Sequence, residues 1–236
     1  MTSEREFLAA VAAQLGRAPL DAPPAFTPSR PLPAIGPEDP EALADRFQQE
    51  LERISGAVHR VSDPSQVAPT VLRILEEVLG EGRGAGPEAA GQPNRLVARW
   101  ADPLLDGFGL DEALAQAGWR VVTFAEGGDG RAFVEQVERA AAGIVAADAG
   151  IAETGTIVLL SGLTRGRTVS LLPPLLIALL RKEQIVFDSA RVFRRLTQGP
   201  MPSQVIFKSG PSRSSDIEND LTIGVHGPGH LHVILL

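Results

Sequence analysis

Arg95-Leu-Val-Ala-Arg-Trp100, Trp119-Arg-Val-Val-Thr-Phe124 and Gly143-Ile-Val-Ala-Ala147 are three short apolar runs, and what lies between them decides the fold. A short helical segment ending at Gly118 separates the first two. A longer one over residues 131–142, with Phe133, Val134 and Val137 spaced to face inward, separates the second and third. Strand–helix–strand–helix–strand order predicts right-handed crossovers and a parallel sheet. Beyond it, residues 156–160, 169–172, 175–180, 185–187, 204–207, 221–225 and 232–235 read as closely spaced strands, with a helix after Asp188. The expected class is α/β: a mixed, mostly parallel sheet flanked by helices.

Upstream the texture is helical. Ser3 and Glu6 have capping-box spacing, with Phe7, Leu8, Val11 and Leu15 following at helical intervals until Gly16. Residues 18–40 are rich in proline and read as an extended arm. A second helix begins near Glu41, with Leu43, Phe47, Leu51 and Ile54 on one face. A third is announced by Asp63, Pro64 and Gln66 and carries Val67, Val71, Leu75, Val78 and Leu79. The glycine-rich run over 80–91 then suggests a division into N-terminal helices and arm, 1–90, and an α/β core, 91–236.

Composition excludes several classes of function. The chain has 236 residues, 44% hydrophobic and 22% charged, and no cysteine. A disulfide framework, a thiol nucleophile and a cysteine-held iron–sulfur cluster are therefore impossible in this chain. No signal peptide is visible, and the most apolar stretch, 169–180, is short and interrupted by Pro173 and Pro174, so a cytoplasmic protein without membrane insertion is expected. The net charge of −7 argues against nucleic acid, although residues 165–213 carry 9 Lys/Arg and only 2 Asp/Glu. That local excess suits a small anion or an acidic partner, or else is a solvated basic face.

Two polar segments follow apolar strands, where open α/β sheets place ligands. In the segment 148–156, Asp148 and Glu153 are candidates for acid, base or carboxylate nucleophile, and Thr154 and Thr156 add hydroxyls. The alternative is a hairpin whose acids cap nearby N–H groups. In the segment 209–218, Ser209, Ser212, Ser214 and Arg213 have the chemistry of an oxyanion site, with Asp216 a third catalytic carboxylate; a helix-capping loop is the alternative. Ser161, Arg165 and Arg167 form a third loop able to face the same anion. His226 lies in a glycine-flanked turn, where exposure without catalysis is the stronger reading. His230 and His232 are expected to pack at a sheet edge and His59 to be incidental. No histidine spacing supports a metal site.

The runs 147–160, Ser170-Leu171-Leu172-Pro173, 209–218 and 224–235 resemble the LUD-domain family, strongly over 91–236 and loosely before it. Ser214-Ser215 and Asn219-Asp220 depart from the family's pattern without removing a charge from the loop. The resemblance implies a fold similar to the NagB/RpiA/CoA-transferase group. It also implies a place in oxidation of L-lactate to pyruvate beside two partner proteins, at least one carrying iron–sulfur clusters. On that view the chain binds no cofactor itself and is a non-redox subunit. A stand-alone enzyme of phosphosugar-isomerase or CoA-transferase type and an assembly factor docking through the N-terminal helices are the competing expectations.

Overall fold

The computed structural model describes residues 3–16, 39–80, 95–124, 129–215, 221–223 and 227–236. In chain order the elements are α1 (Glu4–Gln14), α2 (Pro40–Arg53), β1 (Ala57–Arg60), α3 (Val67–Gly80), β2 (Leu96–Arg99), α4 (Pro103–Asp106), α5 (Leu110–Gln116), β3 (Arg120–Thr123), α6 (Gly130–Glu138), β4 (Ala142–Ala146), β5 (Ala149–Ile151), β6 (Thr156–Leu160), β7 (Leu175–Leu180), β8 (Ile185–Val186), α7 (Ser189–Leu196), β9 (Val205–Lys208), β10 (Arg213–Ser215), β11 (Leu221–Ile223) and β12 (His230–Leu235). The chain forms two compact units, 1–34 and 35–236. In the first, α1 has both arms of the box: the Glu6 N–H donates to Ser3 Oγ and the Ser3 N–H to Glu6 Oε2. Its apolar stripe of Phe7, Leu8, Val11 and Leu15 is exposed. The proline-rich arm and the glycine-rich run fall almost wholly outside the described residues.

In the second unit six strands form one sheet in the order β1-β12-β7-β4-β2-β3, every neighbouring pair parallel. The central strands are buried on both faces, as a parallel sheet covered by helices requires. A second sheet, β8-β5-β6-β9, is mixed, and β10 pairs with β11. The large sheet is thus wholly parallel, and the expected mixture of directions lies within the small one.

Two expectations change. Residues 169–172 are not a strand, because a 3-10 turn over Arg167–Ser170 leads into Pro173 and Pro174, which supply no N–H to a ladder. That turn lies directly on β4: a Cβ at Gly143 would stand 2.1 Å from the Val169 carbonyl oxygen, so only glycine fits there. Secondly, residues 57–60 form β1, which pairs with β12 and joins the large sheet. Phe47 and Leu51 of α2 and Val71, Ile74 and Leu75 of α3 are fully buried in the same core as β4 and β7. Packing therefore unites residues 40–80 with the core expected to start at 91. It also moves β12 from the sheet edge to an interior position, so His230 and His232 do not lie on an edge strand.

Candidate functional site

The stretch from Asp148 to Thr156 is a hairpin. β5 and β6 run antiparallel, and the turn between them needs Gly155 at φ +60°, pressed so closely on α2 that a Cβ would stand 2.2 Å from the Leu51 nitrogen. Asp148 sits just beyond the carboxyl end of β4 and is fully engaged. Its Oδ2 accepts the Leu160 N–H at 2.7 Å, and its Oδ1 accepts from Arg165 Nη1 at 2.6 Å. Arg165 Nη2 donates to Asp102 Oδ2 at 2.5 Å, and the guanidinium lies over the Trp100 ring. Asp102 is buried and also caps α4 through the Leu104 N–H, while Trp100 Nε1 donates to the Gly166 carbonyl.

One arginine thus ties the loop 161–167 to the ends of β2 and β4 through two carboxylates. Burial pushes the Asp148 carboxyl above its ordinary value, while the Leu160 N–H and Arg165 pull it down. Nearby, the buried Ser161 Oγ and Gln204 Oε1 have no partner among the described residues. Arg167 is exposed, as is Glu153 at the hairpin turn.

The two segments singled out in the sequence do meet. Ile157 and Lys208 are the last register pair between β6 and β9, so Thr156 and Ser209 face each other one step beyond. Thr156 Oγ1 lies 2.6 Å from Ser209 Oγ and 2.7 Å from Thr154 Oγ1, a chain of three hydroxyls. Ser209 follows β9 of the small sheet, so this junction is not at the carboxyl edge of the parallel sheet. Ser212 donates its N–H to the Pro228 carbonyl just before β12. Arg213 and Ser214 belong to β10, and Asp216 and His226 lie outside the described residues.

Three clusters escaped the sequence reading. Arg99 is buried and grips Asp111 through Nε and Nη2, both at 2.7 Å, with Asp106 at 2.8 Å. Lys208, half-buried, donates to the Ser170 carbonyl at 3.0 Å, and desolvation pulls its amine down to about 8. His59 and His232 stack across β1 and β12, with Nε2 of one 3.0 Å from Nδ1 of the other. Arginine only donates, so Arg73 Nη2 at 3.1 Å makes His59 Nδ1 an acceptor and places the His59 proton on Nε2. Burial, then the neighbouring His59 and His230, hold His232 down at about 4. The signal available for Lys208 was alternation along Val205-Ile-Phe-Lys208. For Arg99 and the histidines the partners are distant in sequence.

Among the described residues no group of three or more His, Asp or Glu could hold a metal ion. No helix among them is long and apolar enough to cross a membrane.

Comparison with known proteins adds the following. The model of the LUD domain matches residues 44–236. Lactate utilization protein C of Halalkalibacterium halodurans is 44% identical over 57% of this chain and 59% of its own length, so the match spans less than two thirds of that relative. The protein of the same name from Geobacillus sp. is 37% identical over 75% of this chain and 74% of its own. Uncharacterized protein YkgG of Escherichia coli is 31% identical over 97% and 95%. A crystal structure of a DUF162 family protein from Deinococcus radiodurans superposes with a TM-score of 0.53 at 19% identity, covering 84% of this chain and 99% of that one, a likeness of fold.

Proposed function

The chain belongs to the LUD-domain family, and we propose that it serves lactate utilization as a non-redox component working beside iron–sulfur proteins. The observation that carries this reading is the 37% identity, over three quarters of both chains, to a relative named Lactate utilization protein C. The absence of cysteine agrees with a division of labour in which electron transfer belongs to partners, because no thiolate is available here to hold a cluster. The hydroxyl chain Thr154–Thr156–Ser209 keeps one proton free beyond its two internal hydrogen bonds, and Arg213 follows four residues on from Ser209, a combination suited to a carboxylate such as that of lactate.

The test is affinity purification of the full chain from cells grown on lactate, with iron measured in the eluate. An iron-rich companion, together with loss of growth on lactate when the gene is deleted, is the expected result. An iron-free protein recovered alone, from cells whose growth on lactate survives the deletion, would overturn the proposal. Within an assembled complex, Arg213→Ala is expected to abolish lactate-dependent activity while the fold stays intact.

A further inference from the structure

Lys208 ends β9 with its side chain turned inward. Ile206 and Lys208 share the face on which Leu159 and Ile157 join the main core, whereas Val205 and Phe207 lie on the α7 side, Phe207 stacked on Phe193. A lysine thus occupies a position where the strand pattern calls for an apolar residue. Its amine reaches the carbonyl of Ser170, itself fully buried. Gly227 lies over it: a Cβ at that position would stand 3.6 Å from Nζ and 3.8 Å from Ser212 Oγ. An ammonium carries three donors, and among the described residues one neutral carbonyl is its hydrogen-bond acceptor.

We propose that Lys208 Nζ is the charge of a small-anion site bordered by Gly227 and Ser212, and that its ligand is a monocarboxylate. Charge balance selects the ligand class. One partly desolvated ammonium is matched by one negative charge, whereas a dianion such as phosphate leaves a second charge unpaired. Among the described residues the elements around the amine bring no carboxylate: Arg167 starts the 3-10 turn ending at Ser170, His230 starts β12, and Ile157 is the register partner on β6. The choice of L-lactate and pyruvate as ligands rests on the proposed function. The site itself does not.

Desolvation lowers the amine to about 8. An anion binds the ammonium and not the amine, so affinity holds below that pH and falls about tenfold per pH unit above it. The experiment is calorimetric titration of the full chain with acetate, L-lactate, pyruvate and inorganic phosphate on both sides of pH 8. Expected are binding of the monocarboxylates in preference to phosphate and the stated fall in alkali. Lys208→Met should lose at least about tenfold in affinity, and Lys208→Arg should bind without the alkaline fall. The profile of the unaltered protein is read independently of how the variants fold. Absence of monocarboxylate binding, binding that is flat with pH, or full affinity in a folded Lys208→Met overturns the site. Acetate bound with the expected profile, by a protein dispensable for growth on lactate, upholds the site and overturns the lactate role instead.

Discussion

Arg165 shows how much one side chain decides in this molecule. Its guanidinium is shared between Asp102 and Asp148, whose side chains are 4% and 21% exposed. Removing it leaves a buried Asp102 and a largely buried Asp148 without their counter-charge, a change that costs on the order of 3–5 kcal/mol when an ion pair is buried. Arg165→Met is therefore expected to destabilise the chain strongly. The loss should grow as pH rises, because burial already holds Asp148 above its ordinary value and a raised carboxyl loses stability as it ionises. Urea unfolding at several pH values checks this, and a loss independent of pH would contradict it. Gly155→Ala acts by another route. The residue needs φ +60°, and its Cβ would collide with α2 backbone, which no rotamer change relieves. A loss on the order of 2–4 kcal/mol is expected, read as a lower melting temperature.

At the scale of elements, the pairing of β1 with β12 half-buries two histidines against α3. His59 accepts from Arg73, which Glu77 holds at 2.9 Å, and donates to His232. His232 is lowered from 6.5 to about 4 by burial, then by His59 and His230, with a smaller push from Arg73 opposed by Glu77. The unfolded chain takes up a proton near pH 6.5 that the folded one resists until about 4. Stability from this group is thus complete above 6.5 and declines as pH falls through that window, by up to about 3 kcal/mol. His232→Asn should flatten the acid limb of a plot of unfolding free energy against pH; an unchanged limb would show that other groups set it. The β5–β6 hairpin is the second element of consequence. It carries the polar residues of 148–156 from the end of β4, where Asp148 is clamped, to the junction with Ser209.

For the molecule as a whole, the family match begins at residue 44 and α2 is capped by Asp39, whose Oδ2 accepts the Ala42 N–H. A chain starting at Asp39 is expected to melt cooperatively within about 2 °C of the full protein. Loss of a cooperative transition would show that residues 1–38 are needed for the fold. Much of this architecture was legible in the sequence. The runs at 95–100, 119–124 and 143–147 did become β2, β3 and β4 of a parallel sheet, because apolar runs divided by amphipathic helices bury both faces in few other ways. The caps at Ser3, Asp39 and Asp63 and the apolar faces of α2 and α3 follow from local chemistry. Residues 57–60, between the second and third helices, became a strand only because β12, more than 170 residues later, offers a ladder. The partners of Arg165, Lys208 and His232 were equally out of reach. Periodicity reports which face a side chain takes, not what the rest of the chain brings to that face. The sequence by itself determined the α/β class, the helices and the absence of any thiol chemistry. Tertiary structure decided which strands neighbour one another and which charges are buried together, since both depend on contacts between segments whose local patterns carry no record of each other.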